Sequence, residues 1–308
     1  MSEIQGIAPP DTSPENALPI PSATPPHAPS IDTLKSWLPL YLSKSDVAIR
    51  RLDKILSTPS GTDRLLMTIC YTSLLTSNVL SSISLARIQQ TTRSLIEKAI
   101  SLPPNTTLVF TPAPSRTTAN LLTTSVRLKK LSALISDFRI FTRLWGLLGL
   151  YKWGKASLEN PPEDTVLRRI TYAQVFVNVL FQYLENAAYL SSKGIMGWDS
   201  KKQNRAWEWS SRFWAAHVGL DLGRLCYEWN VRRRRDLKGK EKDEGEVEQN
   251  DAAWRAKWRR EMVVNLAYAP LTIHWSLEQG LIGEFWVGLF GSVAGVTALR
   301  ELWRQAQV

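Results

Sequence analysis

The chain is poor in the residues that do covalent and metal chemistry: it has two cysteines and three histidines in 308 residues. Cys70 and Cys226 lie far apart inside apolar helical patterns. That placement suits buried thiols in a reducing compartment and argues against a disulfide framework or a redox pair. His27 falls in a proline-rich segment, and His217 and His274 lack the H-E-x-x-H spacing of a zinc protease. The latter two suit aromatic helix faces, so no metal ligand is assigned. There is no glycine-rich phosphate loop, no G-x-S-x-G elbow and no Cys/His cluster. The chain therefore offers no catalytic residue and no cofactor site, and an enzyme is not expected.

Positive charge is missing from the first stretch, where no Lys or Arg precedes Lys35 and no apolar h-region occurs. Neither a secretory signal nor an Arg-rich transit peptide fits that composition. The final Gln-Ala-Gln-Val is not an address of the Ser-Lys-Leu type, so any organelle targeting is expected to be internal. Residues 1–30 hold about half of the 17 prolines and only three charges, Glu3, Asp11 and Glu15. Such a segment cannot build a core and predicts a disordered tail ahead of one helical domain over residues 31–308.

Alternating apolar and polar runs long enough for a sheet are also absent, and the pattern predicts an all-α chain. Asp32 can cap a helix that runs to Ser57, kinked at Pro39 and stopped by Thr-Pro-Ser-Gly at 58–61. A second helix spans about Asp63 to Ile100, ending before Pro103 and Pro104. A third, long helix starts near Asn120 and continues to Asn160, where Asn-Pro-Pro-Glu-Asp breaks it. Further helices are expected at about Thr165–Lys193, Lys201–Arg235, Asn250–Ala269 and Leu281–Ala306.

What the chain does have is positive charge and tryptophan. Lys and Arg outnumber Asp and Glu by 38 to 28, and there are 13 Trp. The charge draws the protein toward phospholipid or nucleic acid, and Trp favours the boundary between lipid and water.

One stretch combines both features. In the amphipathic helix over about 120–155, Lys129, Ser132, Ser136, Arg139 and Arg143 share one face, and Leu131, Leu134, Ile135, Phe138, Phe141, Trp145 and Leu148 share the other. A basic face beside a bulky apolar one lets a helix lie in a headgroup layer, its rings about 5–10 Å deep. The same period suits a core-facing helix of a bundle. No charge follows Arg143 until Lys152, so a purely soluble role would need cover on every side.

The later part of the chain carries further membrane signals. Leu281–Leu299 approaches the length of a bilayer span, and Gly288, Gly291 and Gly295 suit close helix approach. A second apolar helix at about 205–230 ends in Trp207 and Trp229, but Arg212, His217, Asp221 and Arg224 are costly in lipid unless paired. Asp221 with Arg224, and Arg224 with Glu228, have the spacing to pair. In the apolar helix 165–193, Glu185 and Asn186 suit a hydrogen-bonded pair that fixes helix packing. Residues 231–249 predict an exposed basic-to-acidic loop. Its Arg232, Arg233, Arg234 and Arg235 fit a juxtamembrane cluster better than a nucleic-acid patch, and no nucleic-acid partner is expected.

The ordered set Leu134–Gly154, Phe176–Leu190 with Gly194–Trp198, Trp209–Trp229, Trp254–Trp275 and the glycine-rich final span resembles the peroxin-11 family, its gamma-like, fungal-type members in particular. The resemblance covers about Leu34 to Arg304. It implies a membrane-associated helical bundle with one or two C-terminal spans, residing in the peroxisomal membrane. It further implies a protein that remodels and elongates that membrane, promotes proliferation and fission, and sets peroxisome size and number. Residues Leu131 to Leu148 then form a wedge, with Lys129, Arg139 and Arg143 on anionic headgroups. The implied partners are membrane lipids, further copies of the chain and the organelle fission machinery. A scaffold that recruits fission or organelle-contact partners, and a pore-like membrane protein, are the alternatives.

Overall fold

The computed structural model describes residues 31–103, 114–238 and 244–307. The predicted tail lies outside them. Eight helices and no strand occur among the described residues. They are α1 (Ile31–Leu56), α2 (Pro59–Ile100), α3 (Arg116–Thr142), α4 (Gly146–Glu159), α5 (Thr165–Ser192), α6 (Ser200–Lys238), α7 (Glu244–Trp275) and α8 (Glu284–Gln305). The chain divides into two units, residues 1–49 and 50–308. In the first, α1 exposes Trp37, Leu42, Val47 and Ile49 and carries Pro39 inside the helix.

Local signals set the ends of the helices in the second unit. Pro59 opens α2 behind Thr58, whose hydroxyl accepts from the Gly61 amide. Asp164 caps α5 by accepting from the amides of Val166 and Leu167. At the other end of α5, Gly194 takes φ +75 and the Ile195 amide bonds back to Leu190, the left-handed stop that glycine permits. Gly280, at φ +67, closes the turn before α8. There the His274 imidazole accepts from the Leu281 and Ile282 amides.

The second unit is built outward from α2. Antiparallel α3 pairs with it along a seam of small polar residues. Ser77 Oγ donates to the Ser125 carbonyl at 2.8 Å, and Ser125 Oγ donates back to the Ser77 carbonyl at 2.9 Å. Seven residues away on each helix, the Cys70 thiol meets Ser132 at 3.4 Å. A further seven residues on, Asp63 meets Arg139 at 2.8 Å. Ser84 and Thr118, both buried, continue the step in the opposite direction. A seven-residue repeat keeps one stripe facing the partner helix, and short side chains let the two backbones close up.

Helix α8 packs on a different side of α2, also antiparallel, through its glycines. A Cβ at Gly288 would stand 2.8 Å from the Leu75 amide nitrogen, one at Gly291 would enter the Tyr71 ring, and one at Gly295 would press on Thr68. Met67, Ala267 and Ala294 form the core between α2, α7 and α8, with Tyr71, Val264 and Tyr268 against it.

Burial departs from that of a water-soluble bundle, with polar groups covered beside the apolar core and large apolar ones exposed. Ser73, Ser77, Ser84, Gln174, Gln182, Glu185 and Asn265 are inside, whereas Ile83, Leu134, Phe176, Trp286 and Val296 are outside. Among the described residues two helices, α2 and α8, are long and apolar enough to cross a bilayer, and only 28% and 39% of their most apolar windows are buried. The core helix of a soluble protein would be mostly covered, so these faces suit lipid. The expected final span corresponds to α8. The Trp207–Trp229 helix does not meet this criterion, and the other span candidate is α2.

Replacing Gly288 by Val should lower the midpoint of thermal unfolding in detergent, at a cost of about 1–3 kcal/mol, because the added carbons meet backbone that cannot rotate away. Gly219→Ala, where an added Cβ meets nothing within 4 Å, should instead leave the midpoint unchanged or raise it.

Candidate membrane-contact site

The orientation of α3 about its own axis is fixed by charge. Arg139 is buried on the seam, and its Nε and Nη2 donate to the two carboxylate oxygens of Asp63 at 2.8 and 3.3 Å. One turn further, Arg143 donates from Nε and Nη2 to Glu185 of α5 at 3.0 and 2.8 Å. Lys129 donates to both oxygens of Glu284, at the start of α8, at 2.8 and 2.7 Å. Such forked, charge-assisted contacts hold both partners in one geometry.

This corrects the expected role of the basic face. All three are engaged by carboxylates: Arg139 is buried and Arg143 half-buried, whereas Lys129 stays exposed beside Glu284. The reason lies largely on the partner side: Glu185 is only 5% exposed, and a buried carboxylate without its cation costs several kcal/mol. Arg127, Lys130 and Lys152 are among the exposed cations of the same helices.

With Arg139 and Arg143 held against α2 and α5, the apolar face points outward. Leu131, Leu134, Phe138, Phe141, Trp145 and Leu148 are all exposed, Leu134 and Leu148 by 68% and 69%, while Ile135 is half-buried. Phe141 and Trp145 meet edge to face at 6.1 Å, which stiffens the strip.

The strip does not lie on one continuous helix. The expected 120–160 helix is interrupted at Arg143–Trp145, between α3 and α4. Asn186 Nδ2 holds the Leu144 carbonyl in this turn at 2.8 Å, and Gln182 donates to Asn186 at 2.7 Å. Glu185 and Asn186 thus fix packing between α5 and the turn, a contact 42 residues away in sequence.

Arg224, Asp221 and His217 of α6 are held by partners on neighbouring helices, whereas Arg212 is exposed. Arg224 donates to Asp221 at 2.7 Å, Glu228 at 2.8 Å and Glu261 of α7 at 2.8 Å. Gln174 of α5 and Asn265 of α7 complete the shell of Asp221. His217 faces Asn178 of α5 at 2.8 Å. Both expected pairings of Arg224 are present, joined by a third from α7.

The expected loop over 231–249 is largely helical. Helix α6 continues to Lys238, and α7 begins at Glu244. Arg232 pairs with Asp251 and lies 4.5 Å over the Trp254 ring. Trp229 meets Trp258 at 4.8 Å and Trp254 at 6.0 Å. Arg233 and Arg234 are exposed, and the side chain of Arg235 lies outside the described residues.

The site is therefore an outward apolar strip on a helical bundle with polar groups inside, and sequence comparison identifies where such a bundle belongs. The profile of the family described as peroxisomal biogenesis factor 11 (PEX11) matches residues 115–303, more than half of the chain. The chain belongs to the PEX11 family. It is also 27% identical over 192 residues, 62% of this chain and 79% of the other, to an uncharacterized protein of Schizosaccharomyces pombe. No solved structure matches. PEX11 membership makes the chain a peroxisomal membrane protein of peroxisome biogenesis and proliferation, from a family not known for enzymes. The matched region contains both the strip and α8, so the exposed apolar faces belong to a membrane-resident chain.

Arg143→Ala should destabilise the protein by about 3 kcal/mol, read as the midpoint of denaturant unfolding in micelles, because it leaves Glu185 buried and unpaired. Combining Arg143→Leu with Glu185→Leu should recover at least half of that loss, since no uncompensated charge remains.

Proposed function

We propose that this PEX11 protein elongates the peroxisomal membrane by seating the α3–α4 strip in one leaflet. The observation that carries the reading is the outward presentation of Leu131, Leu134, Phe138, Phe141, Trp145 and Leu148 by a helix whose ion pairs prevent it from rolling them inward. Rings seated at the boundary between headgroups and chains expand that leaflet relative to the other, and unequal leaflet areas favour bending. Arg127, Lys130 and Lys152 supply the attraction to anionic lipid in place of Arg139 and Arg143, which carboxylates engage. Helices α2 and α8 anchor the chain. A single strip adds little area, so elongation requires many copies on one membrane, and further copies of this chain are its expected partners, with fission machinery acting on the resulting tubule.

A second reading is favoured by the interior. A polar cavity of about 600 Å³ lined by Asp221, Lys257, Arg260 and Glu301, and an aromatic one of about 510 Å³ lined by Trp207, Trp214 and Trp275, adjoin at Asp63, Met67, Trp214 and Tyr268. Water-filled, they would make a solute path. Solute flux into proteoliposomes that falls on Asp221→Asn substitution would support this pore-like reading, and flux unaffected by that change would count against it.

The leaflet-wedge reading is tested by replacing Phe138 and Phe141 together with Glu. The change removes two rings worth about 3–6 kcal/mol of leaflet binding and leaves α2, α8 and both ion pairs intact. In cells carrying a peroxisome marker, the variant should still reach peroxisomes but no longer elongate them. Unchanged elongation would assign the strip to protein contacts and favour a scaffold.

A further inference from the structure

We propose that α5 is a third lipid-contacting helix, whose stripe Tyr172, Phe176, Val179 and Tyr183 lies against acyl chains of one leaflet. Averaged hydropathy hides this helix, because between Arg169 and Lys193 it carries Gln174, Asn178, Gln182, Glu185 and Asn186. Every one of those groups is turned inward and satisfied. Gln174 donates to Asp221, Asn178 meets His217, Gln182 donates to Asn186, Asn186 donates to the Leu144 carbonyl, and Glu185 holds Arg143. Gln174, Gln182 and Glu185 are each 5% exposed.

The opposite side of the helix has no charge over three turns. Tyr172, Phe176, Val179 and Tyr183 recur at steps of four, three and four residues, and all are exposed, Phe176 by 65% and Tyr183 by 58%. From Tyr172 to Tyr183 the stripe runs about 17 Å at 1.5 Å per residue, close to half of a hydrocarbon core of about 30 Å. Exposed Arg169 sits one turn before Tyr172. It places a cation at headgroup level when the stripe is in the chains, as anionic lipid requires.

Acyl chains fit this face better than a second copy of the protein. Helix pairing in lipid relies on small residues that let backbones approach, as the α8 glycines do against α2. The α5 stripe is bulky throughout and, apart from two tyrosine hydroxyls, offers no group that would select a protein partner. Bulky apolar side chains outside and mostly small residues on the covered side are also the pattern of α2 and α8, the helices apolar enough to cross a bilayer.

The proposal rests on membrane residence and not on leaflet expansion by α3–α4, and its test reads contact, not membrane shape. In a Cys70→Ala, Cys226→Ser background, nitroxide labels would be attached to Phe176→Cys and, separately, Val179→Cys. The full chain would then be reconstituted in vesicles of phosphatidylcholine and phosphatidylinositol. The expected result is loss of broadening by a water-soluble nickel complex at both positions, with broadening by lipid-soluble oxygen retained. Broadening by the nickel complex would overturn the proposal, and so would protection from both reagents, which would mean protein covers the stripe. A benzoylphenylalanine in place of Phe176, in the otherwise native chain, gives an independent reading. Lipid adducts support lipid contact, and protein–protein adducts overturn it.

Discussion

The antiparallel seam between α2 and α3 decides which way the other side chains of these helices face. Because Asp63 with Arg139, Cys70 with Ser132, and Ser77 with Ser125 all fall on one stripe of each helix, the stripe has no rotational freedom. Whatever lies opposite must face away. On α3 the opposite side is the Leu131–Phe141 strip, and on α2 Ile69, Ile83 and Leu85, on the flanks of the seam, are exposed. In water such an arrangement would be unfavourable, since it hides serines and displays leucines. In a bilayer the relation reverses: polar groups must find partners within the protein, and apolar ones need no cover. The seam and the membrane are thus two halves of one explanation. The hydroxyl-to-carbonyl exchanges satisfy in the interior what lipid cannot, and short side chains allow the close packing that replaces the hydrophobic drive between helices.

The same logic extends around the bundle. Arg224 and its three carboxylates, with Gln174 and Asn265 on Asp221, join α5, α6 and α7 through charges that would be expensive singly but are matched together. Arg143 and Glu185 do the same between the α3–α4 turn and α5. Glycines serve the remaining contact, where α8 meets α2 through bare backbone. Phe, Trp, Ile, Leu and Val are numerous on the exposed faces.

Much of this was legible in the sequence. The all-α class, the ends of α5 and the position of α8 follow from caps, prolines and period, because those signals are local. The pairing of Arg224 was readable from three- and four-residue spacing. What a helical wheel does not contain is the sign of a face. Lys129, Arg139 and Arg143 lie opposite Phe138 and Phe141 whichever side is inside, and only Asp63, Glu185 and Glu284, brought in from three other helices, settle it. The break after Thr142 was equally invisible, since neither Pro nor a helix-stopping cap occurs there. It depends on Asn186 reaching the Leu144 carbonyl from α5. The span candidate α2 was obscured by its serines and threonines, which lower its average hydropathy although seven-residue spacing turns several of them onto the seam. The Arg-rich segment was misjudged as a loop because its helical continuation depends on Asp251 and Trp254 across the α6–α7 pair.

Small residues alone leave the seam degenerate. Cys70, Ser77 and Ser84 of α2, and Thr118, Ser125 and Ser132 of α3, are alike enough that a slide of seven residues, about 10.5 Å at the helical rise, would again set small polar groups opposite one another. The Asp63–Arg139 pair is not repeated at that step. After such a slide Arg139 would face Cys70, or Asp63 would face Ser132, and an ion would lie inside the bundle without its partner. A buried pair of this kind adds little net stability against an apolar replacement, but it makes each alternative register costly. Asp63 and Arg139 therefore act chiefly as a register pin. By fixing how far α3 extends past α2, they also set where Arg143 meets Glu185 and where the chain turns into α4. The outward position of Phe141 and Trp145, and with it the shape of the apolar strip, follows from one ion pair at the far end of a seam of serines.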